Sequence, residues 1–444
     1  MQTVPFSALK RVLSSTLIEE SIREAGREGQ RRRKLPPDLV TWVVIGMGFF
    51  RQLSIPNVLC RMAEGLGVRF GDVLPHSTSI TQARDRLGWR TLRLLFRKLG
   101  ELLHSAHADQ DLWRGHTVYG LDGTTARVPD SDANDCWFGR PGSSRGGRTG
   151  FPQIRAVMLV GVWTHVVFDA AFGPYFMSEL RLAERLLERL KRGSLVLLDR
   201  GYHSFTWPAL LQQVGAYFVV REKRGQCALK LKRLRRLGRG DWLCVAVRPK
   251  RSRLGDQLPD QLLVRQITCG RRRGKAYSVI TNLLDGDKYP AAEIAALYRD
   301  RWESELAYRE LKTHMSNEQV MFRSKRPQRI LQEAFGFLVA YNAVRAVMAD
   351  AAREAAVRPI RLSFLNSLRR VRWALFDSAE HAYRNLIDRL ASCLLPPRRS
   401  DRVCDRAVKI KMSNYPRKRV GKRSAPSRYQ RQARERQWRR GEVP

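Results

Sequence analysis

The chain has 444 residues, enough for about three folding units, and 43% of them are hydrophobic, which excludes a wholly disordered polymer. Its 82 Lys and Arg outnumber 42 Asp and Glu, so the net charge is +40. Because the basic residues are spread along the whole chain, we expect the polyanionic partner to be nucleic acid rather than a membrane surface.

The apolar and cysteine patterns indicate the cellular compartment. The longest purely apolar stretch, 42–50, is far shorter than the ~20 residues of a membrane span, and the first residues lack the apolar core of a signal peptide. Seven cysteines without a CxxC pair predict neither a disulfide framework nor a zinc site. We therefore expect reduced cysteines in a cytoplasmic protein with no membrane partner.

Residues 1–110 predict a helical domain. Apolar residues recur at helical spacing over 9–22, and further helices are predicted over 37–50 and, after a cap at Ser77–Ser79, over 80–103. The arginines of the third helix are expected to face mostly outward: Arg84, Arg86, Arg90, Arg93 and Arg97. Such a basic domain could bind DNA in a groove or cap the next domain, and the sequence leaves both open.

Residues 111–220 predict a mixed α/β unit, because the apolar period changes near residue 117. Helices are predicted over 178–190 and 206–214. The predicted strands are Thr117–Val128, Ile154–Trp163, His165–Ala171, Leu195–Leu198 and Ala216–Val220.

The segment 221–290 predicts a basic, β-rich insertion. It contains 19 Lys and Arg against 6 Asp and Glu, and its predicted strands, 242–247, 262–268 and 276–284, are linked by basic turns such as KLKRLRR. Residues 291–352 then predict two long helices, over 291–315 and from 327 onward. We expect a helical C-terminal region over 353–411 and a disordered basic tail over 412–444.

Two aspartates are notable for their positions. Asp122 lies within the first strand of the α/β unit, and Asp199 directly follows the apolar strand 195–198. A carboxylate beside apolar strand residues is costly unless it is paired or bound to a metal. Each aspartate alone also fits a turn after a strand, for which Asp-Gly is a strong signal.

A third candidate element is the predicted helix that includes residues 298–312. At about 100° per residue, Arg301, Glu305 and Lys312 fall with Tyr298 in an arc of about 60°. This arc fits a solvated face with an Arg301–Glu305 ion pair. It also fits a metal-binding carboxylate flanked by phosphate-binding side chains.

Two other glutamates of this helix, Glu303 and Glu310, lie more than about 100° from that arc. We expect them to face solvent or a basic neighbour. Their replacement by Gln should then change stability by no more than ~0.5 kcal/mol, as at an ordinary surface position.

The spacing Y-x2-R-x3-E-x6-K, from Tyr298 to Lys312, resembles the signature of cut-and-paste bacterial insertion-sequence transposases of the DDE class. The resemblance is to the group typified by insertion sequence number four. That group places its first aspartate in a D-G-T-like strand and its second in a D-x-G-Y-like motif, and Asp122–Thr124 and Asp199–Tyr202 match both. The resemblance covers about residues 10–350.

This resemblance implies a ribonuclease-H-like catalytic core, a mixed sheet with flanking helices, interrupted by the β-rich insertion and preceded by the helical N-terminal domain. It implies that Asp122, Asp199 and Glu305 are catalytic and bind two Mg²⁺ ions, for which Mn²⁺ could substitute. The cellular location would be the bacterial cytoplasm, in association with the nucleoid.

The resemblance also implies which side chains bind DNA, with Trp302 as the ring that holds a flipped base, although this residue equally fits ordinary helix packing. The implied DNA-binding residues are Tyr298, Arg301, Trp302, Arg309 and Lys312. The partners would be double-stranded DNA, at the transposon ends and the target, and a second copy of the chain in the synaptic complex.

The implied reaction is a hydrolytic nick at the transposon end, followed by a hairpin that is reopened and joined to target DNA. Two alternatives share the fold: a catalytically inactive or domesticated DNA-binding protein, and a stand-alone nuclease. A polybasic structural protein would explain the charge but not the three motifs.

Overall fold

The structure of this protein is a computed structural model. It describes residues 7–29, 34–70, 74–142, 150–223, 229–250, 254–270, 276–315, 322–375, 381–396 and 436–438.

The first described residues form a helical bundle, as the apolar spacing predicts. Its helices are α1 (Ser7–Lys10), α2 (Ser15–Glu24), α3 (Pro37–Phe49), α4 (Ile55–Leu66) and α5 (Ser77–Ala106). Helix α3 is buried all round and packs against a later helix, Pro327–Glu354. Two glycines permit this close crossing, since a Cβ added at Gly336 would lie 2.7 Å from Val44 Cγ1 and one at Gly48 would lie 3.0 Å from Ala340 Cβ.

Helix α5 differs from the prediction in two respects. Its N-cap is His76, whose side chain accepts a hydrogen bond from the Thr78 N–H, rather than a serine or threonine. The expectation that Arg84 faces outward is wrong, because this side chain is buried and forms a salt bridge of 3.2 Å with Glu333. The buried carboxylate that attracts Arg84 is almost 250 residues away in sequence, so helical periodicity could not reveal it.

The described ranges contain one sheet with ten strands. These are β1 (Leu112–Trp113), β2 (His116–Arg127), β3 (Gln153–Gly161), β4 (Val167–Pro174), β5 (Leu195–Leu198), β6 (Tyr217–Arg221), β7 (Leu231–Gly238), β8 (Asp241–Val247), β9 (Gln261–Cys269) and β10 (Tyr277–Thr281). The strand order is β4-β3-β2-β5-β6-β10-β9-β8-β7, with β1 paired to β2.

The first half of this sheet confirms the ribonuclease-H-like core. Strands β2, β3 and β4 are antiparallel neighbours, and β5 and β6 then run parallel to β2. The flanking helices are α6 (Asp132–Phe138), α7 (Glu179–Ala183) and α8 (Thr206–Gln213). The predicted helix over 178–190 is α7 followed by a 3₁₀ segment, Glu184–Arg189.

The basic segment 221–290 continues the same sheet instead of standing apart from it. Strand β10 pairs antiparallel with β6, and β9, β8 and β7 follow in order. The prediction of a basic turn at KLKRLRR is wrong, because most of it belongs to β7, the last strand of the sheet. Charged side chains are common on such edge strands, where they oppose pairing with other chains, and they conceal the usual strand pattern.

The predicted helix over 291–315 is divided into three pieces. These are α9 (Ala291–Arg299), α10 (Trp302–Arg309) and a π-helical segment, Glu310–Met315. Next come α11 (Pro327–Glu354), α12 (Phe364–Ala374) and α13 (Ala382–Ala391). Among the described helices, none has the length and apolar character needed to cross a membrane.

The expectation of a disordered tail is wrong at one point. Most of 412–444 lies outside the described residues, but Trp438 is buried against Trp137, and its indole Nε1 donates a hydrogen bond of 2.7 Å to the Phe172 carbonyl. An aromatic ring with its N–H satisfied can be buried at little polar cost, so a basic, aliphatic-poor segment can still anchor itself here.

Candidate active site

Asp122 and Asp199 lie side by side because of the parallel pairing of β2 and β5. In that register Leu121 is opposite Leu198, so the two aspartates are the next residues along adjacent strands. The Asp122 carboxylate accepts a hydrogen bond of 2.8 Å from the Gly123 N–H. The Asp199 carboxylate accepts one of 2.7 Å from the Gly201 N–H, at the start of a 3₁₀ turn.

The carboxyl group of Asp122 is electrostatically unfavourable in its charged form. Burial raises its pKa to about 6, and the Gly123 hydrogen bond only partly opposes that effect. The negative charges of Glu179 and Asp199 raise the pKa further, whereas Arg301 lowers it. Crowded carboxylates with incomplete compensation are typical of sites that bind a cation.

Arg301 links the third predicted catalytic residue to this pair. Its guanidinium forms a salt bridge of 2.5 Å with Glu305, one turn further along, and lies close enough to Asp122 for the two charges to interact. The Arg301 side chain is 17% exposed and that of Glu305 36% exposed. The structure therefore contains the i,i+4 ion pair that the spacing allowed.

Tyr298 and Lys312 approach the aspartates from different pieces of the divided helix. The Tyr298 hydroxyl, on α9, donates a hydrogen bond of 3.1 Å to the carbonyl of Leu198, the residue before Asp199. Burial lowers the pKa of Lys312, on the π-helical segment, while the nearby charge of Asp122 opposes that shift. The premise of one continuous helical arc is wrong, but these side chains still reach the two aspartates.

The remaining predicted DNA-binding residues lie at the surface of α10. Trp302 is 43% exposed, and Arg309 is also exposed. Neither side chain belongs to the apolar core.

Glu303 and Glu310 do not face solvent, which corrects that part of the prediction. Both contact the buried His165 ring, Glu303 at 3.2 Å and Glu310 at 3.3 Å. Glu310 also accepts a hydrogen bond of 2.7 Å from the Tyr341 hydroxyl and lies 3.4 Å from Arg345. The alternative of basic neighbours is correct. These residues form a buried ion network, which consists of Glu303, Glu310, His165, Arg345 and Tyr341. The small stability change expected at a surface position does not apply to Glu303 and Glu310 in this network.

Two further residues near the aspartates, Tyr308 and Glu179, were not predicted from the sequence. The Tyr308 hydroxyl accepts a hydrogen bond of 3.1 Å from the Met158 N–H and donates one to the Asp122 carbonyl, so it ties α10 to β2 and β3. Glu179, at the start of α7, contacts the backbone at Gly123. The sequence signal for Glu179 was the glycine that follows Asp122, since strand glycines often mark a close approach of another group.

The donor set fits a hard divalent cation in part. Asp122 and Asp199 offer adjacent carboxylate oxygens, the ligands that Mg²⁺ prefers. Glu305 is engaged by Arg301, and within the described ranges no three His, Cys, Asp or Glu side chains are arranged to hold one ion together. The structure thus brings Asp122 and Asp199 together and links Glu305 to them through Arg301.

Comparisons with known proteins extend over most of the chain. A family model for the insertion element 4 transposase N-terminal region matches residues 3–97, and a model for the transposase DDE domain matches residues 113–343. Over 422 residues the chain is 31% identical to the transposase InsG for insertion sequence element IS4 of Escherichia coli (strain K12), covering 93% of this chain and 94% of that relative.

Among solved structures, the cryo-EM structure of the piggyBac transposase synaptic complex with hairpin DNA is similar over 90% of this chain and 86% of that one, with a TM-score of 0.42 and 10% identity. The DDE domain match includes Asp122, Asp199 and Glu305, and the N-terminal match covers most of the helical bundle. Together with the identity to InsG along nearly its whole length, these matches show that the chain belongs to the DDE transposase family.

Proposed function

We propose that this protein cuts an insertion sequence out of DNA at its ends, by Mg²⁺-dependent phosphodiester hydrolysis and by transesterification through a hairpin, and joins it to target DNA. The observation that carries this proposal is the placement of Asp122 and Asp199 on adjacent parallel strands, with Arg301 linking Glu305 to them. The family of the chain supports the same reaction class.

Asp122, Asp199 and Glu305 would hold the metal, which we propose to be two Mg²⁺ ions, with Mn²⁺ as a substitute. When bound, such ions activate the attacking oxygen and stabilise the leaving oxygen of a phosphodiester. The charged carboxylate of Asp122, disfavoured by burial and by its acidic neighbours, would gain most from a cation.

Glu305 exchanges partners in this proposal. Its Oε1 is bound to the Arg301 guanidinium at 2.5 Å, and we propose that a cation which draws this carboxylate towards the aspartates breaks that ion pair. A released Arg301 presents a planar set of donors that suits a DNA phosphate. One movement would thus complete the carboxylate set and create a phosphate-binding group beside it.

The neighbouring side chains extend the proposed DNA contact. Lys312 lies near Asp122, where its ammonium would bind a phosphate as a point charge, while Tyr298 holds the backbone before Asp199. The partly exposed ring of Trp302 would stack on a flipped base during hairpin formation, and the exposed Arg309 would contact phosphates.

The partners follow from the reaction. A net charge of +40 favours strong phosphate binding, to both transposon ends and target DNA. Because two ends must be cut and joined together, we propose a homodimer in the synaptic complex. The chromosomal substrate places the protein in the bacterial cytoplasm.

The test incubates purified protein and Mg²⁺ with a linear duplex that contains the element's own end, and separates the products on a denaturing gel. The wild type should give nicked, hairpin and joined species. Asp122→Asn, Asp199→Asn and Glu305→Gln should give none while binding DNA normally.

Glu188→Gln is the matched control, since its side chain is 71% exposed and contacts Arg97 rather than the aspartates. Cleavage without joined product by the wild type would identify a nuclease instead. Normal cleavage by Asp122→Asn would refute the assignment.

A further inference from the structure

Glu179 is an acidic residue that none of the three family motifs includes, yet its side chain is inserted next to them. It is the first residue of α7, and its side chain is only 32% exposed. One carboxylate oxygen accepts a hydrogen bond of 3.0 Å from the Tyr202 hydroxyl. The other lies 3.9 Å from the Arg155 guanidinium.

Gly123 makes room for this carboxyl group. A Cβ added at Gly123 would lie 2.2 Å from Glu179 Cδ and 2.5 Å from its Oε2, closer than any real contact. A side chain at position 123 would therefore displace Glu179. Gly123 is also the residue whose N–H binds the Asp122 carboxylate, so the same peptide touches both acids.

Tyr202 provides the second wall of the Glu179 site. It is fully buried, and its ring packs edge-on against Trp207 at 4.9 Å, which fixes the hydroxyl that binds Glu179. Tyr202 closes the 3₁₀ turn that begins after Asp199. Glu179 thus contacts the chain directly after one aspartate and the turn directly after the other.

We propose that Glu179 is a positioning residue for the Asp122–Asp199 metal site. It fixes the two peptides that present these aspartates, and its negative charge adds to theirs in attracting a divalent cation. This inference rests on the proposed function. In this chain Gly123 and Tyr202, the neighbours of the two aspartates, both shape the site of this carboxylate. Residues that orient metal ligands in this way commonly contribute 10–100-fold to metal affinity.

The test measures Mn²⁺ binding to the full-length protein without DNA, from the electron paramagnetic resonance signal of free Mn²⁺. Glu179→Gln keeps the size of the side chain and an oxygen that can accept the Tyr202 hydrogen bond, but it removes the charge. We expect about tenfold weaker Mn²⁺ binding, and a matching rise in the metal concentration needed for half-maximal cleavage. Glu188→Gln, an equal charge change on the adjoining 3₁₀ segment, should bind Mn²⁺ as the wild type does.

Asp122→Asn separates the two proposals. If it abolishes Mn²⁺ binding while Glu179→Gln binds normally, the role of Glu179 is overturned and the metal site stands. If Asp122→Asn itself binds Mn²⁺ normally, the proposed metal site fails, and the role of Glu179 fails with it. Should Glu179→Gln lack a cooperative thermal transition, Tyr202→Phe decides instead: weaker Mn²⁺ binding supports the proposal, and wild-type affinity overturns it.

Discussion

Two largely covered carboxyl groups, those of Asp122 and Glu310, have opposite electrostatics. Burial raises the pKa of Asp122 to about 6, and its acidic neighbours Glu179 and Asp199 add to that shift. Burial opposes ionisation of Glu310 as well, but the charges of Arg345 and His165 outweigh it and hold the Glu310 pKa at about 2. The charges of neighbouring residues, rather than the extent of burial, therefore decide whether the charged form of each carboxylate is stabilised.

This contrast separates two regions that contact α10 or the π-helical segment after it. The buried ion network pairs its acidic residues, Glu303 and Glu310, with basic partners inside the protein. Asp122 instead has two acidic neighbours, Glu179 and Asp199, whose effect Arg301 opposes only in part. We infer that the network holds the helix in place, while the aspartate pair provides the negative charge that binds a cation.

The most damaging change should be the loss of the network's buried arginine. Arg345→Met leaves Glu310 without its main counter-charge, and breaking a buried ion pair in this way costs about 3–5 kcal/mol. We expect the free energy of unfolding, measured by urea denaturation, to fall by that amount. Arg384→Met, at an exposed ion pair on α13, is the control and should hardly change it. Equal effects of the two substitutions would mean that the network is not structural.

The pH dependence of stability should show the same network. The folded-state pKa of Glu310 is depressed, so its contribution is present above its ordinary value near 4.5 and is lost as the pH falls towards 2. His165 has a raised pKa despite its burial, so its contribution is present below about 6.5 and is lost as the pH rises through the folded value.

The variant Glu310→Gln tests the loss of stability at acidic pH. In urea denaturation between pH 5 and pH 3, the wild type should lose about 2 kcal/mol that this variant does not lose, because the Glu310 pKa is about 2 in the folded state and near 4.5 in the unfolded state. Parallel curves for the two proteins would show that Glu310 is not stabilised by its partners.

Removing the charge of Asp122 should stabilise the protein, whereas removing a charge from the network should destabilise it. At pH 7.5 and without metal, Asp122→Asn removes a charge that burial disfavours and keeps an oxygen for the Gly123 N–H. We expect the free energy of unfolding to rise by about 1–2 kcal/mol although cleavage is lost. The gain should vanish below about pH 3, which is under both the folded pKa of about 6 and the ordinary value of 3.8, because Asp122 is then largely protonated in both states. A loss of stability at pH 7.5 would contradict the contrast with Glu310.

The sequence could predict the aspartates and not their surroundings for a physical reason. Asp122 and Asp199 each accompany an apolar strand, and strands and their ends follow from local patterns. Glu179, by contrast, begins a short helix whose pattern looks like any amphipathic segment. Its role depends on Tyr202 and Gly123, which pairing of distant segments brings to it.

The buried charges illustrate the same limit. Arg84 and Glu303 lie on helices with many other charged residues, and helical spacing assigns them to polar faces. Both are buried against a partner that is distant in sequence: Arg84 against Glu333 of α11, and Glu303 against His165. At Asp300, where the predicted helix is divided, the carboxylate likewise accepts a hydrogen bond from a residue distant in sequence, through the Trp163 indole.

Tyr308 connects the two regions, because it lies on α10 beside the network and its hydroxyl binds the backbone of Asp122 and Met158. Tyr308→Phe leaves those backbone groups without this partner, so we expect about 1 kcal/mol of lost stability. Cleavage should fall about tenfold with unchanged DNA affinity, because a misplaced catalytic group slows the chemical step more than it weakens binding. Tyr341→Phe, which removes the hydroxyl that binds Glu310, is the matched control: it should cost similar stability and leave the cleavage rate unchanged. If both variants slowed cleavage equally, the network would itself set the position of the aspartates. The separation of a structural role for the network from a cation-binding role for the aspartate pair would then be wrong.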